Sequence, residues 1–157
     1  MKNNRTVDRI TIHADPDAIF QAAANIERWP EILPHYRWVT VQDKQSDKCI
    51  VEMAARRGWI PVKWTSIQWL EAGKRRVYYQ HTGGATRGMY VEWHIEPKRE
   101  AVRVTIIHDL TLEVPIVRTK LGKWIVKNFF IKHIAGQTLR RIKETLETGG
   151  KTECGVQ

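Results

Sequence analysis

The chain has 157 residues, 42% hydrophobic and 27% charged, with a net charge of +9. This size and balance suit one globular domain with its own core and exclude a disordered or fibrous chain. The charge invites a nucleic-acid or anionic-membrane partner, yet it is concentrated. Residues 118–147 hold eight Lys/Arg against two Asp/Glu, a net +6.

Cys49 and Cys154 form neither a disulfide framework nor a metal-ligand spacing. The basic start, Met1 to Arg5, leads into no apolar stretch, and no run approaches a membrane span. The expectation is a cytoplasmic protein. Seven tryptophans are many for this length. Tryptophan is bulky and carries a polar N–H, so it fills a core or lines a site, and both roles are open.

The first strand is predicted over 6–13, with Ile10 and Ile12 on one face. Asp15-Pro16 then signals a helix start: Asp15 can cap free backbone N–H groups, and proline suits the first helical position. Ile19, Phe20 and Ala23 follow at helical spacing. Trp29-Pro30 opens a second short helical turn, which Pro34 closes.

The period then changes to two, and strands are predicted over 36–43, 48–56, 60–70, 74–82, 88–97 and 101–112. Turn residues separate them, Gly83-Gly84 among these. Met89, Val91, Trp93 and Ile95 share one face, with Tyr90, Glu92, His94 and Glu96 on the other. Val102, Val104, Ile106, Leu110 and Leu112 likewise oppose Arg103, Thr105, Asp109 and Thr111. Such alternation marks an antiparallel sheet with one buried face.

From Lys120 the period becomes helical. Leu121, Trp124, Ile125, Ile131, Ala135, Leu139, Ile142 and Leu146 form an apolar stripe, interrupted by Gly136 at a cost of roughly 1 kcal/mol relative to alanine. The expected architecture is α+β. A seven-stranded curved antiparallel sheet wraps around one long C-terminal helix, with two short helices after the first strand. Residues 1–147 form a single domain and 148–157 a flexible tail. A bent sheet held against a helix by bulky side chains leaves a cavity for a ligand.

The element order and the segment Ala14-Asp-Pro-Asp-Ala-Ile-Phe20…Trp29-Pro-Glu-Ile-Leu-Pro-His-Tyr36 resemble the polyketide cyclase/dehydrase branch of the START-like (helix-grip, Bet v 1-like) superfamily. Gly88 to Trp93 and Leu139-Arg-Arg-Ile-Lys143 add to the resemblance, which spans roughly residues 5–147. It implies a helix-grip fold and a pocket near whose mouth Trp29 and Tyr36 lie. It also implies that Met89 and Trp93 line the pocket. The family's inward Trp-x-Ser-x-Arg strand matches Trp64-Thr-Ser66-Ile-Gln68, with glutamine in place of the arginine proposed to orient the polyketide. Gln68 can hydrogen-bond but brings no charge and no acid or base.

His108 falls in phase with the apolar face of its strand and therefore points inward. It suits general acid–base work, with Tyr36 the other candidate, though a lone inward histidine is more often a hydrogen-bonded structural one. The expected ligand set is Trp29, Tyr36, Trp64, Ser66, Gln68, Met89, Trp93, His108 and Trp124. The six histidines show no pair spacing suited to a metal, no Asp/Glu pair is placed like an acid/base dyad, and no phosphate loop is present, so no metal and no cofactor are expected.

The expected function is sequestration of a hydrophobic small molecule: an aromatic polyketide, a quinone or a lipid. An active aromatase/cyclase (dehydratase) is the alternative. A further alternative is a coenzyme Q or lipid chaperone docking on an anionic membrane through Lys120, Lys123, Lys127, Lys132, Arg140, Arg141 and Lys143, with Phe129 and Phe130 inserting. Those charges equally suit a solvated helix face. No nucleic-acid partner is expected, because the aromatic residues alternate into the core.

Overall fold

A computed structural model describes residues 5–111, 113, 115 and 119–152, without the side chains of Arg57, Lys123, Phe129, Phe130 and 149–152. The expectations for Leu112, for Phe129 and Phe130 as inserting groups, and for residues 153–157 lie outside the described residues.

Strand β1 (Arg5–Ile12) leads into α1 (Pro16–Ala24). Asp15 caps α1, its Oδ2 accepting from the Ala18 N–H at 3.0 Å, and Pro16 opens the first turn. Ile19, Phe20 and Ala23 are buried, as their spacing requires. A 3-10 turn (Ile26–Arg28) continues into α2 (Trp29–Ile32). Six strands follow: β2 (Tyr36–Lys44), β3 (Lys48–Arg57), β4 (Ile60–Glu71), β5 (Arg76–Gly84), β6 (Tyr90–Pro97) and β7 (Val102–Asp109).

All seven strands form one antiparallel sheet in the order β1-β7-β6-β5-β4-β3-β2, so the first strand closes beside the last. Register shifts at Tyr36/Trp38, Val41/Asp43 and Thr65/Ser66 mark bulges, which bend the strands that carry them. The alternation in β6 is realised: Val91, Trp93 and Ile95 are buried, and Tyr90, Glu92, His94 and Glu96 are not.

Gly83 and Gly84 depart from the expected turn. They end β5, and the turn lies at 85–88. Gly84 is needed for close approach: at φ +84 a Cβ would fall against the Lys63 carbonyl and, at 2.9 Å, the Trp64 Cα.

The C-terminal helix runs as α3 (Lys120–Ile125), a π-helical turn (Val126–Ile131) and α4 (Lys132–Thr152). Val126 and Ile131, five residues apart, are both buried. A π turn has that spacing, and it rotates everything before it out of the α-helical phase. The expected stripe therefore holds for Ile131, Ala135, Leu139 and Ile142 and fails upstream. Leu121 (68% exposed), Trp124 (60%) and Ile125 face solvent. Gly136 causes no break, and a Cβ there would meet nothing within 4 Å. Gly149 and Gly150 do not end α4, which continues through part of the expected tail. The helix is fastened to β1 by Lys143 Nζ donating to the Thr11 carbonyl (2.8 Å) and by the His13 N–H donating to Glu147 (2.9 Å).

Candidate ligand-binding site

The inward faces of the strands supply one wall of a hollow. Met53 of β3, Val62 and Trp64 of β4, Tyr79 and His81 of β5, Val91 and Trp93 of β6, and Ile106 and His108 of β7 line it. Ile131, Ile134, Ala135 and Thr138 of the C-terminal helix close it from above, while Trp29, Tyr36, Thr86 and Met89 complete it. No Lys, Arg, Asp or Glu stands among these lining residues.

The volume is about 70 Å³, small beside the ~300–1,000 Å³ usual for ligand pockets. A cavity that takes benzene measures about 150 Å³, so even a single ring requires the wall to move.

The rings form a connected chain. Trp29 is 2% exposed and lies 5.9 Å from Trp93 and 5.1 Å from Tyr36, centroid to centroid. Tyr36 meets Trp64 at 6.0 Å, and Trp64 stacks on His81 at 5.7 Å with only 9° between planes. Trp29 and Tyr36 are thus buried residues of the wall.

Most polar groups on this wall are engaged within the protein. Trp29 Nε1 donates to the Ala22 carbonyl at 3.0 Å. His81 Nδ1 pairs with Thr86 Oγ1 at 2.7 Å. Thr138 Oγ1 pairs with His35 Nε2 at 2.8 Å and lies against the Tyr36 phenol. His108 is the lining residue with a fully buried side-chain atom left unpaired. Its Nδ1 is buried without a partner, and neither ring nitrogen has one among the described residues.

Burial sets the charge states. It pushes His108 down to about 4, and His81 to about 3 with the neighbouring His108 adding to the effect. His35 falls to about 4 through burial, then through His133 and Arg141. Burial raises the Tyr36 phenol above its usual value, opposed by Thr138. At neutral pH the imidazoles are uncharged and the phenol is protonated.

A family model described as polyketide cyclase / dehydrase and lipid transport matches residues 12–141. The chain belongs to that family. No curated protein matches the sequence. Among solved structures it is similar to the Zhui aromatase/cyclase from Streptomyces sp. R1128, at 16% identity and a TM-score of 0.84, covering 97% of this chain and 98% of that one. A START superfamily protein from Mycobacterium smegmatis follows at 9% identity and 0.73, covering 92% and 97%. A major latex-like protein from Panax ginseng shows 12% identity and 0.73, covering 90% and 96%. At such identities the likeness is one of fold, the helix-grip arrangement of sheet and terminal helix.

For this member of the polyketide cyclase/dehydrase family, Trp29, Tyr36, Trp64, Met89, Trp93 and His108 come together around the hollow. Ser66 and Gln68 share the inward face of β4 with Trp64 but are not among the lining residues. Ser66 Oγ donates to the Gln80 carbonyl at 3.1 Å. Gln68 Nε2 donates to the Ala24 carbonyl and to Tyr79 Oη, each at 3.1 Å, while Oε1 accepts from Cys49 Sγ at 3.2 Å. At the position of the arginine implied by the resemblance, Gln68 ties the end of α1 to the sheet. Trp124 stands outside the hollow, turned out by the π turn. Sequence reasoning missed Tyr79, Thr86 and Thr138. Of these, Tyr79 carried a signal, since it precedes His81 by two residues on the same face of β5.

Proposed function

We propose that the protein binds a hydrophobic small molecule in this hollow, of the aromatic polyketide, quinone or lipid kind. The observation that carries the reading is a wall of linked aromatic rings, closed by the helix and bearing no charged side chain. Such a wall favours an apolar guest by about 25 cal/mol per Å² of apolar surface buried, before the entropy of association is counted. Membership of the polyketide cyclase/dehydrase and lipid transport family supports it. Residues 1–147 act in this reading as one binding domain, in the cytoplasm.

The hollow widens for a larger guest by displacement of Ile131 and Ile134, which hang from the joint between the π turn and α4. Mass spectrometry of extracts from freshly purified protein tests the reading, together with thermal shift against an aromatic polyketide and a quinone. An empty extract with no shift from either compound sinks it.

A second reading is catalysis, the cyclisation or dehydration of a poly-β-keto chain. The His108 imidazole, lining the hollow with a ring nitrogen left unpaired, favours it as the proton acceptor, and the fold shared with the Zhui aromatase/cyclase supports it. Tyr36 would be the acid. Cyclised product that persists in a His108→Ala, Tyr36→Phe double variant excludes those roles.

The membrane-docking reading draws on Leu121, Trp124 and Ile125, exposed on a helix that carries Lys120 and Lys127. Among the described residues no helix is long and apolar enough to cross a membrane. Surface docking would show as salt-sensitive binding to anionic vesicles, because such attraction is screened.

A further inference from the structure

If the hollow is a ligand site, its polar inventory restricts the ligand further than apolarity does. The inference rests on the binding reading above. Most polar groups facing the guest already have partners within the protein. The His81 ring is held by Thr86, Thr138 by His35, the Trp29 N–H by Ala22, and the Tyr79 phenol by Gln68. One group remains. His108 is 9% exposed, lines the hollow beside Val91, and has neither ring nitrogen hydrogen-bonded among the described residues. Directly across from it on β1, Thr6 Oγ1 is also buried and unpartnered. Residues opposed in an antiparallel pair stand on the same face, so two unsatisfied groups sit side by side at one end of an otherwise oily wall.

Buried polar groups without partners are uncommon and need an explanation. An apolar core would be better served by leucine at position 108. We propose that the hollow selects uncharged aromatic ligands bearing one hydroxyl or keto oxygen, which His108 anchors, and that it rejects carboxylates. A neutral imidazole carries one N–H and one bare nitrogen, so it serves both a phenol O–H and a ketone. A carboxylate finds no counter-charge, because no basic side chain lines the hollow, and burying an unpaired charge is costly.

The probes are phenol, toluene and benzoate, single rings that ask the least movement of the wall and are alike in shape. Binding to the full chain is followed at pH 7.5 by nuclear magnetic resonance titration. Phenol is expected to bind at least about tenfold more tightly than benzoate. In His108→Leu the phenol-to-toluene affinity ratio falls about 2–10-fold, the loss of one hydrogen bond. His108→Gln retains a donor and an acceptor and restores part of that ratio. Benzoate binding as well as phenol, or a ratio unmoved by His108→Leu, overturns the inference while toluene binding leaves the apolar site standing. Failure of all three probes to bind overturns the site itself and the inference with it. Should His108→Leu not fold, the phenol–benzoate comparison in the unaltered protein still decides.

Discussion

Trp64 and His81 stack face to face across β4 and β5, their ring centroids 5.7 Å apart, and the same histidine is held at Nδ1 by Thr86 from the turn beyond β5. A strand, its neighbour and the following turn are thereby locked into one wall of the hollow. Thr86→Val removes the hydroxyl and leaves a buried ring nitrogen unsatisfied. The expected cost is about 1–3 kcal/mol, seen as a Tm lower by about 2–4 °C per kcal/mol. Thr86→Ser should recover most of it. A Thr86→Val protein that melts with the parent would show that the bond contributes nothing.

Two glycines should respond in opposite directions. Gly88 has φ +93, and a Cβ there would strike the Thr111 carbonyl and approach Glu113 Cγ to 2.8 Å. Gly88→Ala is expected to cost about 1–3 kcal/mol and to loosen the turn that presents Thr86. Gly136 lies inside α4 with open space around the missing Cβ. Gly136→Ala should therefore stabilise, by about 0.5–1 kcal/mol. Thermal melts of both variants check the pair, and a destabilised Gly136→Ala would mean that the helix needs its glycine.

The strands were legible because alternation in β6 reports one buried face directly, less cleanly in β7, where Thr105 of the expected wet face is buried, and the Asp15-Pro16 start of α1 because capping is local chemistry. The helix was half legible. The stripe through Ile131, Ala135, Leu139 and Ile142 obeys the α period, but one π turn misplaced Trp124, and no side chain announces such a turn. For the site, alternation placed Met89, Trp93 and His108 on the inward face, and the family resemblance placed Trp64 there. It could not show that Gln68 meets Ala24, 44 residues away, or that Thr138 reaches His35. Those pairings depend on how helices settle on the sheet, and spacing along one strand carries nothing of that.

Gln68 gives a test of whether the family's arginine could act in this chain. Its amide is saturated by Ala24, Tyr79 and Cys49, all uncharged, and its side chain is buried. Gln68→Arg would place a charge among neutral partners, at a cost on the order of 3 kcal/mol or more. The expected outcome is a lower Tm with no gain of cyclase activity on a poly-β-keto substrate. A stable Gln68→Arg protein that turned over such a substrate would show that the pocket is one residue from the family chemistry.

Stability should fall in mild acid, and the sign follows from the histidines. His35, His81 and His108 are held near 4, 3 and 4 in the folded chain and return to about 6.5 on unfolding. Between those values the unfolded chain binds more protons, so stability rises with pH. The contribution is complete above about pH 6.5 and is lost as pH drops through the folded values. Each fully differential proton is worth about 1.4 kcal/mol per pH unit. Burial lowers all three, His108 adds to the effect on His81, and His133 and Arg141 add to it on His35, so none of the three gains a compensating anion. Melts at constant ionic strength should show Tm nearly level from pH 8 to 7 and falling steeply from 6 to 4. A level Tm across that lower range would mean that the imidazoles are wetter than the closed wall implies.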